Sequence, residues 1–327
     1  MSRTILVTGA GGFIGGHVCR IAHQHGWRVR GLDLFFPQAI PGERVTGSIL
    51  DPATLEAAMQ GADAVVHGAA ITSLWARRAA DFHKVNAEGT LAVARAARRV
   101  GARLAHISSY TVLVSGPRGG PTHLVDETVE LAPEALLGPY PAAKRAAELH
   151  VQEEVRRGLW ATILLPSAPV GPGDWAGTPP TRLIRDLVHG RLPALLDAPM
   201  NLVDVEAVAG AILASLELGQ PGRRYLLSGE DASLAEIARL VASLAGTRPP
   251  AFRVPYALAL AAAGAEALMA GVSGRPPRAP LTGVRLAGRN VGFVNARARA
   301  ELGFAPPPLA ETLARAVAAE RRDQPAG

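Results

Sequence analysis

Thr8-Gly9-Ala10-Gly11-Gly12-Phe13-Ile14-Gly15 is the stretch on which the fold turns. It follows a short apolar run, Arg3 to Thr8, and opens a segment of helical spacing, Phe13 to His25, that stops at Gly26. Glycines stand at 9, 12 and 15. In a strand–turn–helix unit the first permits the tight turn, the second lets the backbone approach a pyrophosphate, and the third lets the helix pack on the sheet. The helix start then offers free amides and its positive dipole end to the phosphates. A second strand, Arg28 to Asp33, ends in an acid 18 residues after Gly15. A carboxylate there accepts hydrogen bonds from ribose hydroxyls and repels a 2′-phosphate, which favours NAD over NADP. Strand alternation turns Arg30 away from that side.

Outward from this unit, apolar strands and helices keep alternating. A short helix at Pro52–Gln60 precedes a strand at Ala62–His67. A long helix at Phe82–Val100 precedes a strand at Ala102–Ser108, and a helix at Tyr140–Arg157 precedes a strand at Leu159–Leu165. Nearly continuous apolar strands separated by helices predict an α/β protein, a Rossmann-type doubly wound parallel sheet covered on both faces. After Pro169 the character changes. Proline and glycine thicken at 166–180 and 271–280, with short strands at Asn201–Asp204 and Arg224–Leu227 and helices at Val205–Leu218 and Ser233–Ala245. The division read from this is a nucleotide-binding domain over 1–169 and a smaller C-terminal α/β substrate-binding lobe mainly over 170–327. The chain is expected to return to the first domain near 200–220, and the residues from Arg321 on are read as a frayed tail.

Composition narrows the function. Hydrophobic residues make up 48% of the 327 and charged residues 19%, which is globular and not disordered. The single cysteine, Cys19, excludes an internal disulfide framework, fits a reducing compartment and sits in a helix as an inert thiol. The net charge is +6, and all basic residues but Lys84 and Lys144 are arginine. Aromatics are 5% and interleave with no basic run, so nucleic-acid binding is not expected. The run Val254–Val272, interrupted by Pro255 and Glu266 and rich in alanine, is read as a buried or amphipathic helix and not as a membrane-inserted one. With no leader visible ahead of the first strand, a cytoplasmic location is expected.

Tyr140 and Lys144 lie four apart at the start of a helix, so they share one face. In a chain with almost no lysine, an exposed ion pair would use arginine, so a compact ammonium is required here. A tyrosine hydroxyl is a poor base at neutral pH. A neighbouring ammonium and a positive nicotinamide ring would stabilise the phenolate, and a drop of about three units needs about 4 kcal/mol. The tyrosine then takes a proton from an alcohol as hydride leaves, or returns it in reverse. Ser108 and Ser109 end a strand at the carboxyl edge of the sheet, where open α/β sheets bind ligands.

These residues make the chain resemble an extended short-chain dehydrogenase/reductase of the NAD-dependent epimerase/dehydratase family. The branch it is similar to holds dihydroflavonol-4-reductase-like proteins and hopanoid-associated sugar epimerases. The resemblance covers nearly the whole chain. It rests on the Thr8–Gly15 loop, "HGAA" at His67–Ala70, "LWAR" at Leu74–Arg77, "VNAEGT" at Val85–Thr90, "ISS" at Ile107–Ser109 and the Tyr140/Lys144 pair. Further matches are "LLPSAPVGPGD" at Leu164–Asp174, "NLVDVEAVAGA" at Asn201–Ala211 and "ELGF" at Glu301–Phe304. It implies that Gly9, Gly12, Phe13 and Ile14 hold the cofactor diphosphate and Asp33 the ribose. Ser48 and Ile49 would meet the adenine, although the family usually has aspartate at the first of these. Ala69 and Ala70 would line the cofactor, and Asn86 would sit behind it or cap a helix. Pro166 and Ala168 would flank the nicotinamide. Ser109, placed by the Thr111–Val112 register, joins Tyr140 and Lys144 as the catalytic set, with the last two also touching cofactor. Thr72, Ser73, Trp75 and Tyr110 would border the substrate, no metal is implied, and the assembly implied is a homodimer.

Two departures from the family pattern bear on substrate. Sugar-nucleotide 4,6-dehydratases carry Asp-Glu just after the catalytic hydroxyl, where this chain has Tyr110 and Thr111. Many nucleotide-sugar enzymes place arginine just before the strand that here begins Met200, Asn201, Leu202, with Arg275, Arg278 and Arg285 as alternative anchors. Three functions stay open. The first is an NAD-dependent epimerase on a sugar-like or nucleotide-sugar substrate. The second is an NAD(P)-dependent dehydrogenase or ketone reductase on a non-nucleotide secondary alcohol. The third is a non-catalytic NAD-binding scaffold.

Overall fold

A computed structural model describes residues 3–116, 122–277 and 279–322. Seven strands form one parallel sheet: β1 Thr4–Thr8, β2 Arg28–Asp33, β3 Glu43–Thr46, β4 Ala64–His67, β5 Arg103–Ile107, β6 Ala161–Pro166 and β7 Arg224–Leu227. Their spatial order is β3-β2-β1-β4-β5-β6-β7. The order reverses between β1 and β4, and at such a switch point the strand ends open a crevice.

Alternation along the strands builds two cores from one sheet. Ile5, Val7, Val66, Ile107 and Leu164 face one side, packed by Val18, Cys19 and Ala22 of the first helix (Phe13–Gln24). Leu6, Leu32, Val65, Leu104 and Ile163 face the other, packed by Leu55 and Met59 of Pro52–Met59, Val93 and Ala97 of Gly89–Val100 and Val151 of Pro139–Arg156. Each fully buried aliphatic side chain contributes about 1.5–3 kcal/mol. Burial pushes the Cys19 thiol up to about 12, which leaves it inert.

The helix Val205–Leu218 lies on the first core through Val208, Ala209 and Ile212, and leads into β7. Asp204 starts that helix by accepting hydrogen bonds from the amides of Glu206 and Ala207, both 2.9 Å. A second return, through Ala298, Leu302 and Phe304, joins the same core and is absent from the sequence reading. The smaller lobe has its own core, including Ile184, Leu202, Ile237, Val241 and Leu313. Its sheet pairs Pro199–Asp204 with Ala168–Val170 (parallel) and with Glu230–Ser233 (antiparallel). The C-terminal helix Leu309–Arg322 includes Arg321, which was read as tail, and donates from Arg321 to the Ala245 carbonyl at 2.5 Å.

Two further elements differ from the sequence reading. The long helix is broken into Ala79–Phe82, a π-helical stretch His83–Glu88, and Gly89–Val100. Such a stretch widens the turn and shifts the phase of the face behind it. The apolar run forms the helix Tyr256–Ser273, yet it is neither buried nor amphipathic: only Ala263 and Ala270 are covered.

Candidate active site

The carboxyl ends of β1, β2, β4, β5 and β6 and the smaller lobe enclose one cleft of about 1060 Å³. At its cofactor end, Gly9 takes φ +76°, and a Cβ there would lie 2.6 Å from the amide nitrogen of Ala69. The bare glycine lets the first loop touch the loop after β4. Asp33 accepts from the amides of Gly11 (2.9 Å) and Leu34 (2.7 Å), which fixes the carboxylate at the rim of the loop. Arg30 is spent elsewhere, on Glu43 at 2.7 Å and on the carbonyls of Ala58 and Gln60, and does not line the cleft.

Of the residues singled out from sequence, Gly9, Gly12, Phe13, Ile14, Asp33, Ser48, Ile49, Ala69, Ala70, Ser109, Tyr140, Lys144, Pro166 and Ala168 line this cleft. Thr72 and Tyr110 line its substrate side. Three do not line it. Asn86 is fully buried in the π-helical stretch and clamps the backbone of Ile71, accepting from its amide at 2.8 Å and donating to its carbonyl at 3.0 Å. It caps no helix; from behind the cleft it sets the loop that carries Ala69 and Ala70. Ser73 and Trp75 are bonded to each other, side chain to carbonyl, and turn off the cleft. The chain passes through φ +56° at Leu74, so Leu74 points inward in their place and packs near Tyr140. That conformation is costly for a branched-chain residue and is held by the packing around it. Gly89 has a related role. A Cβ there would lie 2.6 Å from Ile49, so the bare helix leaves Ile49 room to line the cleft.

At the chemical end, Tyr140 stands at the start of the helix Pro139–Arg156, edge-on to Phe82 with ring centroids 5.9 Å apart. Burial pushes its phenol up to about 12, and a hydrogen bond with Ser109 pulls the other way. The expectation from sequence was a value lowered jointly by Lys144 and a positive nicotinamide ring. Lys144 donates to the Ile107 carbonyl at 2.8 Å, and burial brings its own pKa down to about 8 against the opposing pull of Glu148. Ser109 is also held by Thr111, whose hydroxyl donates to it at 3.0 Å.

Sequence reasoning missed Glu148 and Arg289. Glu148, one turn after Lys144, is fully buried. It accepts from Ser108 at 2.5 Å and pairs with Arg145 (3.0 Å) and Arg224 (3.1 Å). Its signal was present in the four-residue spacing from Lys144. Arg289 lines the substrate side, and its Nε is buried without a hydrogen-bond partner among the described residues. Arg275 and Arg285 are exposed and off the cleft, and Arg278 lies outside the described residues. Asn201 also lines the cleft, but its amide is committed to Gly229 and Asp231 at 3.1 and 2.7 Å. The stacked pair His67 and His106 beneath the sheet end is buried. Burial takes His67 down to about 3 and His106 well below its ordinary value, so both are neutral and off the cleft.

The comparisons with known proteins agree with this geometry. The model of the NAD dependent epimerase/dehydratase family matches residues 5–228. A protein of Synechocystis sp. provisionally named dihydroflavonol 4-reductase is 30% identical over 97% of this chain and 94% of its own. The protein named sterol demethylase protein B of Methylococcus capsulatus is 29% identical over 96% and 97%. A solved structure titled gox2253 superposes with a TM-score of 0.84 at 32% identity, covering 98% of both chains. With the glycine loop, Asp33, Ser109, Tyr140 and Lys144 in one cleft, the chain belongs to the NAD-dependent epimerase/dehydratase family of enzymes.

Proposed function

We propose that this enzyme interconverts a secondary alcohol and its ketone on a largely apolar, non-nucleotide substrate, using NAD. The observation that carries this reading is the wall of the substrate half. Leu74, Met200, Val284, Leu286, Val291 and Phe293 line it, and Arg289 is its one cation among the described residues. A nucleotide diphosphate needs several donors for its charge, so of the readings left open by sequence this wall favours the second. The names of two full-length relatives, a dihydroflavonol reductase and a sterol-demethylase protein, point to ring-rich substrates without a nucleotide and support the same choice.

The residues fit the cofactor. The loop from Gly9 to Gly15 offers backbone and helix start to a diphosphate, Asp33 offers a carboxylate to a ribose, and Ser48 and Ile49 close the adenine end. When bound, NAD supplies or accepts the hydride. The protein's part is the proton. Ser109 orients the substrate oxygen, and Tyr140, kept protonated by burial, gives its proton to that oxygen as the carbonyl is reduced. In the oxidising direction the same oxygen, as the phenolate, takes the proton from the alcohol. Lys144 holds an ammonium below the pair while the pH is under about 8.

The test is absorbance of reduced nicotinamide with purified protein, comparing NADH and NADPH, over apolar cyclic and alkyl ketones and over nucleotide sugars. NADH consumption with an apolar ketone is expected. Epimerisation of a nucleotide sugar without net change of the nicotinamide band would replace this reading with the epimerase one.

A further inference from the structure

The helix Tyr256–Ser273 has an unusual surface. It is long and apolar enough to cross a membrane, yet only 11% of it is covered by the rest of the fold. Leu258, Ala262, Ala265, Leu268, Met269 and Val272 are all exposed, at spacings of three and four that put them on one stripe. Leu268 is 76% exposed and Val272 93%. Soluble proteins seldom leave such a stripe uncovered without using it. The opposite side of the helix holds it to the protein: Ala263 and Ala270 are buried, and Glu266 accepts from the amide of Ala279.

The chain on either side of the helix is basic: residues 246–277 contain three arginines and a single acid, Glu266. Arg248 and Arg253 stand exposed before the helix, Arg275 stands exposed just after it, and Arg77 packs beside Gly274 at its end. Arg253 shares its charge with Asp197 at 2.8 Å. Cations at both ends and none along the apolar stripe match a surface with anionic headgroups above an acyl layer. Two copies paired antiparallel along this stripe would set arginines of one against arginines of the other at both ends.

We propose that this helix lies in the headgroup–acyl boundary of an anionic phospholipid bilayer, where it brings the cleft to a membrane-dissolved substrate. Its buried side keeps it flat on the lobe, so it docks and does not span. The next helix, Leu281–Ala287, packs against it and gives Gly283, Val284 and Leu286 to the substrate wall. One helix layer therefore separates lipid from substrate. Docking stands on the helix itself, and the delivery of substrate rests on the apolar-substrate reading above.

The experiment is co-sedimentation of the full chain with vesicles of phosphatidylcholine alone and of phosphatidylcholine mixed with phosphatidylglycerol, beside the double variant Leu268→Glu/Val272→Glu. Binding to the mixed vesicles is expected, weakened by salt and by omission of phosphatidylglycerol, and lowered about tenfold or more in the double variant. The variant should keep its melting temperature and its turnover of a short water-soluble ketone while losing turnover of a vesicle-borne one. Absence of wild-type binding to either vesicle, or equal binding by the double variant, would overturn the proposal. So would a wild-type dimer in solution that the double variant renders monomeric. Vesicle binding with no turnover of either ketone would support docking and overturn the apolar-substrate reading instead.

Discussion

The two ends of the cleft are built on different principles. The cofactor end is made of backbone: glycines, a helix start and strand ends, with one carboxylate, Asp33, at its rim. The substrate end is made of side chains from far-apart segments, including Leu74, Met200 and Val284, with hardly any charge. A backbone cradle tolerates almost no added atom. A side-chain wall tolerates changes of shape but not of polarity. Between them Ser109 and Tyr140 adjoin in the cleft, and Lys144 is fastened to the strand end beneath.

The sharpest way to break this contrast is Gly9→Val. The new Cβ would collide with the Gly68–Ala69 backbone at a φ of +76°, and NADH affinity measured by fluorescence titration should fall by about 100-fold or more. Val284→Asp attacks the other end. A carboxylate in the apolar wall should raise the KM for an apolar ketone by about 30-fold while leaving the NADH affinity unchanged, since an unpaired buried polar group costs about 2 kcal/mol. Equal damage to both constants would mean that the two ends are not separable.

The pH profile reads the centre. Lys144 is charged below about 8 and neutral above it, while Tyr140 stays protonated to about 12. Raising the pH therefore removes the ammonium first. In the reductive direction kcat/KM should fall on an alkaline limb near pH 8, by about tenfold per unit beyond it. A limb that survives in Lys144→Met would assign it to another group. The smallest effect is expected from Asp33→Ser. Loss of a charged hydrogen-bond acceptor should weaken NADH about tenfold and narrow its advantage over NADPH.

The contrast between the two ends also explains what was legible in the sequence. Local rules write the cofactor end and the centre: the Thr8–Gly15 strand–turn–helix stretch, the Arg28–Asp33 strand and the Tyr140–Lys144 spacing each lie within a few residues of chain, and the strand Arg28–Asp33 has the same ends in sequence and structure. Non-local contacts make the substrate end. Ser73 and Trp75 were expected in the wall, but a single left-handed residue, Leu74, reverses which side chains face in. Asn86, expected behind the cofactor or as a helix cap, holds the Ile71 backbone from the π-helical stretch. Arg289 carries no pattern at all and is visible only once residues 281–293 are folded against the cleft. Periodicity described the run 254–272 as helical but carries no information about what covers it, and the fold leaves most of it bare.

The central claim is that Tyr140 moves the proton in a cleft whose two ends bind independently of it. Tyr140→Phe removes one oxygen and leaves the ring against Phe82. NADH titration and single-turnover reduction of an apolar ketone should be measured on the same preparation. The account predicts unchanged NADH affinity with a rate lowered about 10²–10⁴-fold. A rate within a few-fold of wild type, with cofactor bound, would contradict it.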